Sequence, residues 1–147
     1  MKTLILGIGN PILSDDGVGL CIASELEGVF TDVEVCTTTM IDLNLLDMMA
    51  DYDKVFIIDA IQTRTACVGT VKKLLPGEGS LHLFSSHGIH FFEILQLGRD
   101  LGYSIPEIGG IYGIEIGEEP NFGTNLSSEL ISKKKDIVRE IIEDIRK

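Results

Sequence analysis

Short apolar runs alternate with amphipathic stretches along most of this chain. The segments Thr3–Ile8 and Lys54–Ala60 are largely apolar over their whole length, which is typical of strands buried on both faces. Shorter apolar runs predict three more strands, at Val33–Thr37, Val68–Leu75 and Ile108–Ile116. Because these strands alternate with helical segments, the pattern predicts an α/β layered fold with a mainly parallel sheet.

The amphipathic stretches predict helices, since their apolar residues recur at helical spacing. They cover Val18–Val29, Leu43–Tyr52, Ile89–Leu101 and Leu130–Ile145. Ser14 or Asp15 is the candidate N-cap of the first helix, because a short polar side chain can accept hydrogen bonds from the free N–H groups there. The run Lys133–Lys135 is interpreted as the solvated face of the last helix.

Length and charge describe an ordinary globular chain with an excess of acids. It has 147 residues, and 12 Lys and Arg against 23 Asp and Glu give a net charge of 12 − 23 = −11. This length predicts a single domain over residues 1–147. Proteins bind nucleic-acid phosphates through an excess of Lys and Arg, which this chain lacks, so no nucleic-acid partner is expected.

Apolar run lengths and cysteine content indicate the compartment. No apolar stretch approaches the length of about 18 residues that a membrane-spanning helix needs, so no membrane association is expected. The three cysteines are an odd number without Cys-x-x-Cys spacing, which fits a reducing environment. We therefore expect a cytoplasmic protein.

The end of the first predicted strand, Gly7-Ile8-Gly9-Asn10, is similar to the start of a dinucleotide-binding loop. The third glycine of that motif would fall at Ile12, and Asp15 and Asp16 place negative charge where a phosphate needs N–H donors. No bound nucleotide is therefore expected. A helix N-terminus instead favours a carboxylate, so Asp16 is a candidate site residue, with N-capping as the other interpretation.

Two further candidate site residues are Asp59 and His87. Asp59 follows four apolar residues near the end of a predicted strand, where an unpaired charge is costly, so it needs a partner. His87 lies in a polar stretch before the third helix, whereas His82 is interpreted as structural. Sites in such folds form beyond the carboxyl ends of strands. Asp16, Asp59 and His87 would offer two carboxylates and an imidazole there, a set that suits a divalent transition metal.

Four sequence blocks occur in order along nearly the whole chain. They are GIGNPILSDDGVG at 7–19, VFIIDAI at 55–61, SSHG at 85–88 and GIYGIEIGEEPNFGTNLS at 110–127. Together they resemble the nickel–iron hydrogenase maturation endopeptidases, and the first block is the most specific. The resemblance implies a three-layer α/β/α sandwich around a twisted, mainly parallel sheet of about five strands.

The resemblance also implies an activity. Members of this family remove the C-terminal extension of the nickel–iron hydrogenase large-subunit precursor once nickel has been inserted, and the substrate-bound nickel is their recognition signal. The metal-contacting positions of the family fall on Asp16, Asp59 and His87, so the implied metal is nickel supplied by the substrate. Asp16 is the candidate catalytic residue, with activation of water by the metal and proton transfer to Asp16 both open.

The sequence leaves the substrate and two other functions open. Thr37-Thr38-Thr39 stands where the family usually has a Gly-Gly-Thr-like turn, so the particular large subunit that is processed is undetermined. A non-enzymatic nickel-binding or chaperone protein would use the same three ligands. A receiver-like phospho-acceptor domain would also carry acids after its first and third strands.

Overall fold

Five strands form one sheet in the computed structural model, which describes residues 1–75, 91–117 and 122–147. The strands are β1 (Thr3–Ile8), β2 (Val33–Thr38), β3 (Lys54–Ile61), β4 (Val71–Leu74) and β5 (Glu107–Glu115). Their order is β2-β1-β3-β5-β4. The pairs β1–β2, β1–β3 and β3–β5 are parallel, and β4 pairs with β5 in the antiparallel sense. The predicted mainly parallel sheet of five strands is thereby confirmed.

Helices from the described part of the chain cover both faces of this sheet. They are α1 (Val18–Glu25), α2 (Asn44–Met49), α3 (Phe91–Asp100) and α4 (Ser128–Arg146). Successive side chains of a strand point to opposite faces. Ile5 of β1 therefore packs in the core with α1 and α4, whereas Leu4 and Leu6 pack in the core with α2 and α3. The two cores on either side of the sheet confirm the predicted three-layer α/β/α architecture.

The edge strand β4 is shorter than predicted. It begins at Val71 rather than Val68, because Gly69 turns the chain with a positive φ of 93°. The Gly69 N–H then donates to the Glu115 carbonyl oxygen at 2.8 Å. The predicted third helix is observed as α3, and its expected residues 89 and 90 lie outside the described part of the chain.

The first helix is preceded by a 3-10 turn over Ser14–Gly17, which we call the Asp16 turn. Gly17 occupies the N-cap position of α1, and no side chain makes a capping hydrogen bond there. The predicted capping of α1 by Ser14 or Asp15 is therefore wrong. The Asp15 side chain instead accepts a hydrogen bond from the Ser127 N–H at 2.6 Å, across the fold.

The last helix α4 begins with a side-chain cap and lies along the sheet. The Ser127 hydroxyl accepts from the Leu130 N–H at 3.4 Å. Lys133 packs against Gly69 and its ammonium group donates to the Val68 carbonyl oxygen at 2.5 Å, so the interpretation of Lys133 as merely solvated is wrong. Among the described residues, no helix combines the length and apolar character that crossing a membrane requires.

Candidate active site

The ends of β1, β2, β3 and β5, with the loops that follow them, form one side of the sheet that we call the carboxyl edge. In the register of β1 with β3, Gly7 lies beside Ile58, one residue before Asp59. Asp16 follows β1 in the Asp16 turn, which contacts β3. The structure thus places Asp16 and Asp59 at the same edge of the sheet, where ligands bind in open α/β folds.

Asp16 is fixed by the loop that connects β1 to the Asp16 turn. The residue is only 6% exposed, and its Oδ2 accepts a hydrogen bond from the Asn10 N–H at 3.1 Å. The Asn10 side chain stabilises the same loop, because its Oδ1 accepts from the Ile12 N–H at 3.1 Å. The backbone N–H of Asp16 donates to the Leu13 carbonyl oxygen at 3.0 Å. The loop therefore holds the carboxylate in place while burying most of it.

Glycines allow the start of α1 to pack directly against the strands that lead to these acids. A Cβ atom at Gly19 would lie 2.4 Å from the Ile8 carbonyl oxygen and 3.2 Å from the Asp59 Cα atom. A Cβ atom at Gly9 would lie 2.6 Å from the Asp16 carbonyl oxygen. Only glycine permits backbone approach this close. The glycines of the first sequence block therefore serve to pack the Asp16 turn against the sheet.

Asp59 is fully buried within β3 at 0% exposure. Its Oδ1 accepts a hydrogen bond from the Ala60 N–H at 2.8 Å. Because Ile57 and Ile61 belong to the core with α2 and α3, strand alternation directs Asp59 to that face as well. Burying a carboxylate costs folding free energy unless it is hydrogen-bonded or bound to a cation. Residues that break the local pattern at such a cost are concentrated at functional sites.

Glu115 is a third buried acid at the carboxyl edge, and it is not among the site residues predicted from the sequence. It is 2% exposed and lies beside Ile61 in the register of β3 with β5. Its carboxylate accepts from the Thr63 N–H at 2.9 Å and the Arg64 N–H at 3.4 Å, and also from the Thr63 hydroxyl. Glu115 thus holds the start of the loop between β3 and β4. Glu115 could have been identified in the sequence as an acid in an otherwise apolar strand, the same feature that identified Asp59.

His87 lies outside the described residues, so its position relative to Asp16 and Asp59 stays a prediction. Within residues 1–75, 91–117 and 122–147, no group of three His, Cys, Asp or Glu side chains is arranged to hold a metal ion. The two acids alone supply oxygen ligands, and the predicted metal set needs the imidazole of His87 for its nitrogen ligand.

The loop after β2 carries the departure from the family pattern. Thr38 ends β2 beside Ile8, and its carbonyl oxygen accepts from the Gly9 N–H at 3.3 Å. The Thr38 hydroxyl donates to the Met40 carbonyl oxygen at 3.0 Å, which closes a local turn. Met40 is 62% exposed. Thr38 therefore closes a hydrogen-bonded turn after β2, and the apolar side chain of Met40 in this turn is exposed.

A cavity of about 380 Å³ opens beside the Asp16 turn, between α1 and α4. Its apolar wall consists of Pro11, Leu20, Leu126 and Ile131. Cys21 also lines the cavity, and burial raises the pKa of its thiol. Because the thiolate is the nucleophilic form of cysteine, this environment does not suit Cys21 for nucleophilic catalysis.

Two buried carboxylates at one edge of a sheet can serve two kinds of chemistry. Carboxylate oxygens bind divalent cations, and a carboxylate can take a proton from a water molecule that attacks a carbonyl carbon. Asp16 is the better placed for proton transfer, because it lies in a loop-borne turn and retains some exposure. Asp59 is enclosed by the strand and suits a fixed binding role.

Sequence comparisons connect this site to a known family. The model of the family described as "Hydrogenase maturation protease" matches residues 22–144. The Hydrogenase 2 maturation protease of Escherichia coli strain K12 is 30% identical over 130 residues, which cover 84% of this chain and 79% of that protein. The match therefore extends over most of both chains.

Solved structures agree with the sequence comparison. The [NiFe] hydrogenase maturation protease HybD from Thermococcus kodakarensis superimposes with a TM-score of 0.77 at 26% identity, covering 100% of both chains. The hydrogenase maturating endopeptidase HybD from E. coli has the same TM-score of 0.77 at 23% identity, covering 99% of this chain and 93% of that one. The fold described above is thus the fold of these proteins.

Proposed function

Because the chain belongs to the hydrogenase maturation protease family, which consists of peptidases, we propose that it processes a nickel–iron hydrogenase large-subunit precursor. It removes the C-terminal extension of that precursor after nickel insertion, and it uses the nickel carried by the substrate as its recognition signal. The observation that carries this proposal is the placement of two buried carboxylates, Asp16 and Asp59, at the carboxyl edge. Both lie in the sequence blocks that resemble the family.

In this proposal all three site residues contact the metal, and Asp16 also transfers a proton. Asp59, buried and fixed in β3, contributes oxygen ligands to the nickel of the precursor, together with Asp16 and His87. Contact with the metal positions the scissile peptide at the carboxyl edge. Asp16 accepts a proton from the water molecule that attacks the scissile carbonyl carbon, and it passes this proton to the amine nitrogen of the released extension as the C–N bond breaks.

Membership in a peptidase family favours this function over the two alternatives from the sequence. A nickel-binding or chaperone protein without activity would use the same ligands but would leave the precursor intact. A receiver-like domain would accept a phosphoryl group and would have no use for the nickel of a precursor. Cleavage of the precursor therefore separates the peptidase from both alternatives, and binding of the precursor without cleavage separates the chaperone from the receiver-like domain.

The test is the intact mass of a purified precursor after incubation with this protein. We expect nickel-loaded precursor to lose a C-terminal peptide and nickel-free precursor to keep it. Asp16→Asn should leave nickel-loaded precursor uncut. Asp53→Asn is the matched control, because Asp53 also accepts a backbone N–H, from Lys2 at 2.7 Å, but at the start of β3. We expect Asp53→Asn to cut normally.

The result that would overturn the proposal is an unchanged mass of nickel-loaded precursor with the wild-type protein, despite demonstrated binding. Binding without cleavage would indicate a chaperone. Equal cleavage of nickel-loaded and nickel-free precursor would contradict the recognition of nickel while leaving the peptidase activity in place.

A further inference from the structure

The neighbouring acids Asp15 and Asp16 point to different parts of the fold. Asp16 Oδ2 accepts from the Asn10 N–H, within its own loop. Asp15 Oδ1 accepts from the Ser127 N–H at 2.6 Å, a contact between residues 112 positions apart. Ser127 is the N-cap of α4, so the carboxylate of Asp15 lies at the N-terminus of a 19-residue helix. Negative charge is stabilised at that end of a helix.

Ser14 makes a second connection to the same part of the chain, residues 122–127, which we call the pre-α4 segment. Its N–H donates to the Gly123 carbonyl oxygen at 2.8 Å, and its hydroxyl donates to the Asn125 carbonyl oxygen at 2.7 Å. Ser14 has a positive φ of 47°, which is unfavourable for a residue with a side chain. A backbone in this conformation persists only when its surroundings hold it there.

We propose that Asp15 is a positioning residue that holds the Asp16 turn in its active conformation by fastening it to α4. The proposal rests on the function proposed above for Asp16. The helix α4 packs into the core through buried Leu130, Ile137 and Ile141, so it is a rigid support. Asp15 connects that support to the residue adjacent to Asp16. Without this connection only the two Ser14 hydrogen bonds hold the strained turn against α4, so the turn relaxes and Asp16 shifts with it.

A small shift of a catalytic group has a large effect on rate. Misplacement by about 1 Å costs on the order of 100-fold in rate, since the reacting atoms must be aligned. Asp15 Oδ1 accepts from the Ser127 N–H at the N-terminus of α4, so we assign Asp15 a positioning role rather than a catalytic one. In this proposal Asp15 therefore holds the Asp16 turn in place, and Asp16 takes part in the reaction.

The test compares Asp15→Ala and Asp15→Asn with a matched control, Asp42→Ala. Asp42 also accepts a backbone N–H through its carboxylate, from Asn44 at 3.0 Å, but in the loop before α2. Two quantities are measured in each variant. Amide hydrogen exchange at Ser127 and Asn10 reports on the α4 contact and on the contact of Asp16. Single-turnover cleavage of nickel-loaded precursor gives the rate of the reaction. Steady-state cleavage at several precursor concentrations gives KM.

We expect Asp15→Ala to accelerate exchange at both Ser127 and Asn10 and to lower the cleavage rate by about 10- to 100-fold with KM unchanged. Asp15→Asn keeps an acceptor oxygen for Ser127 and should recover most of the rate. Asp42→Ala should change none of these quantities. If Asp15→Ala does not fold, Asp15→Asn tests the proposal instead. We then expect a smaller acceleration of amide hydrogen exchange at Asn10, and Asp42→Asn should leave that exchange unchanged.

Faster exchange at Ser127 with unchanged exchange at Asn10 and an unchanged cleavage rate would overturn the proposal, because Asp15 would then only stabilise the start of α4. The exchange measurement is independent of the reaction. If the wild-type protein does not cut the precursor, the proposed function fails, and exchange at Asn10 still decides whether Asp15 holds Asp16.

Discussion

The buried acids at the carboxyl edge and Asp144 on α4 have different hydrogen-bond partners. Asp16, Asp59 and Glu115 each accept hydrogen bonds from backbone N–H groups. Asp144 on α4 instead bonds two side chains, the hydroxyl of Tyr112 at 2.5 Å and the ammonium group of Lys73 at 2.9 Å. We call Tyr112, Lys73 and Asp144 the Tyr112 cluster. It joins β4, β5 and α4 on the face opposite to that of Asp59.

The function proposed above assigns chemistry to Asp16 and Asp59, and it leaves Asp144 a role in stability. In the Tyr112 cluster a cation balances the carboxylate, and the hydrogen bond to Tyr112 helps to hold the pKa of Asp144 below its ordinary value. Such a carboxylate contributes to the folded state and is unsuited to take a proton near neutral pH. Asp59 is wholly buried in β3, where its Oδ1 accepts from the Ala60 N–H, and the proposed function makes it a ligand of the substrate's nickel. Comparison of variants at Asp59 and Asp144 tests this division of roles.

The largest expected effect is on activity. Asp59→Asn keeps the size and shape of the side chain but removes its charge, so we expect the cleavage rate of nickel-loaded precursor to fall by about 100-fold or more. Asp144→Asn should leave the cleavage rate unchanged. Both rates are measured under single-turnover conditions, and equal losses in the two variants would break the division of roles.

The next effect is on the packing that brings the acids together. Gly19→Ala would place a Cβ atom 2.4 Å from the Ile8 carbonyl oxygen and 2.6 Å from the Ile58 carbonyl oxygen, both within the sheet. Because backbone atoms cannot move aside, we expect the free energy of unfolding to fall by about 3 kcal/mol. Urea denaturation measures it. At Gly117 nothing lies within 4 Å of an added Cβ atom, so Gly117→Ala is the control.

A smaller effect is expected where α4 meets the loop before β4. Lys133→Ala removes the hydrogen bond to the Val68 carbonyl oxygen and the packing on Gly69, so we expect the free energy of unfolding to fall by about 1 kcal/mol. Lys135 is exposed on the same helix and is the control. Lys135→Ala should change the free energy of unfolding by less than about 0.5 kcal/mol. Equal denaturation curves for the two variants would contradict this expectation and would indicate that Lys133 is solvated like Lys135.

The smallest effect is the pH dependence that comes from Asp144. Its hydrogen bond from Tyr112, followed by that from Lys73, lowers the pKa of the carboxyl group in the folded state. The resulting stabilisation is present above the unfolded pKa of about 3.9 and is lost as pH falls through the folded pKa. Asp144 is partly exposed, so solvent screening limits the contribution to below about 1 kcal/mol.

The check is the melting temperature, Tm, of the wild-type protein and Asp144→Asn between neutral pH and pH 2. The wild type should have a higher Tm than Asp144→Asn at neutral pH. This difference in Tm should decrease only as the pH is lowered into the acid range. Tyr112→Phe should reduce the same advantage, since it removes the first cause of the lowered pKa. An advantage that is constant with pH would show that Asp144 does not act through its charge.

The sheet and the two acids were predictable from the sequence because their signals are local. Continuous apolar runs identify β1 and β3, and the carboxyl edge is marked by the glycines and Asp16 after β1 and by Asp59 near the end of β3. Asp59 was found because it interrupts an apolar strand. Glu115 carries the same signal, but its partners Thr63 and Arg64 lie more than 50 positions away in sequence, and nothing local reveals them.

Two predictions failed because tertiary contacts replaced local ones. Asp15 has the composition and position of a helix N-cap, yet it bonds Ser127 at the start of α4. Lys133 belongs to a charged run, yet Gly69 provides a surface on which its side chain packs. Neither partner can be identified from spacing along the chain, since each contact depends on how α4 is placed on the sheet.

The most direct test of the central claim is whether the carboxyl edge recognises nickel on the precursor. The measurement is the affinity of this protein for nickel-loaded and nickel-free precursor, with the scissile peptide substituted so that it is not cut. We expect the wild type and Asp144→Asn to bind the nickel-loaded form more tightly, and Asp59→Asn to bind both forms equally. A preference for nickel that survives in Asp59→Asn and disappears in Asp144→Asn would contradict the account.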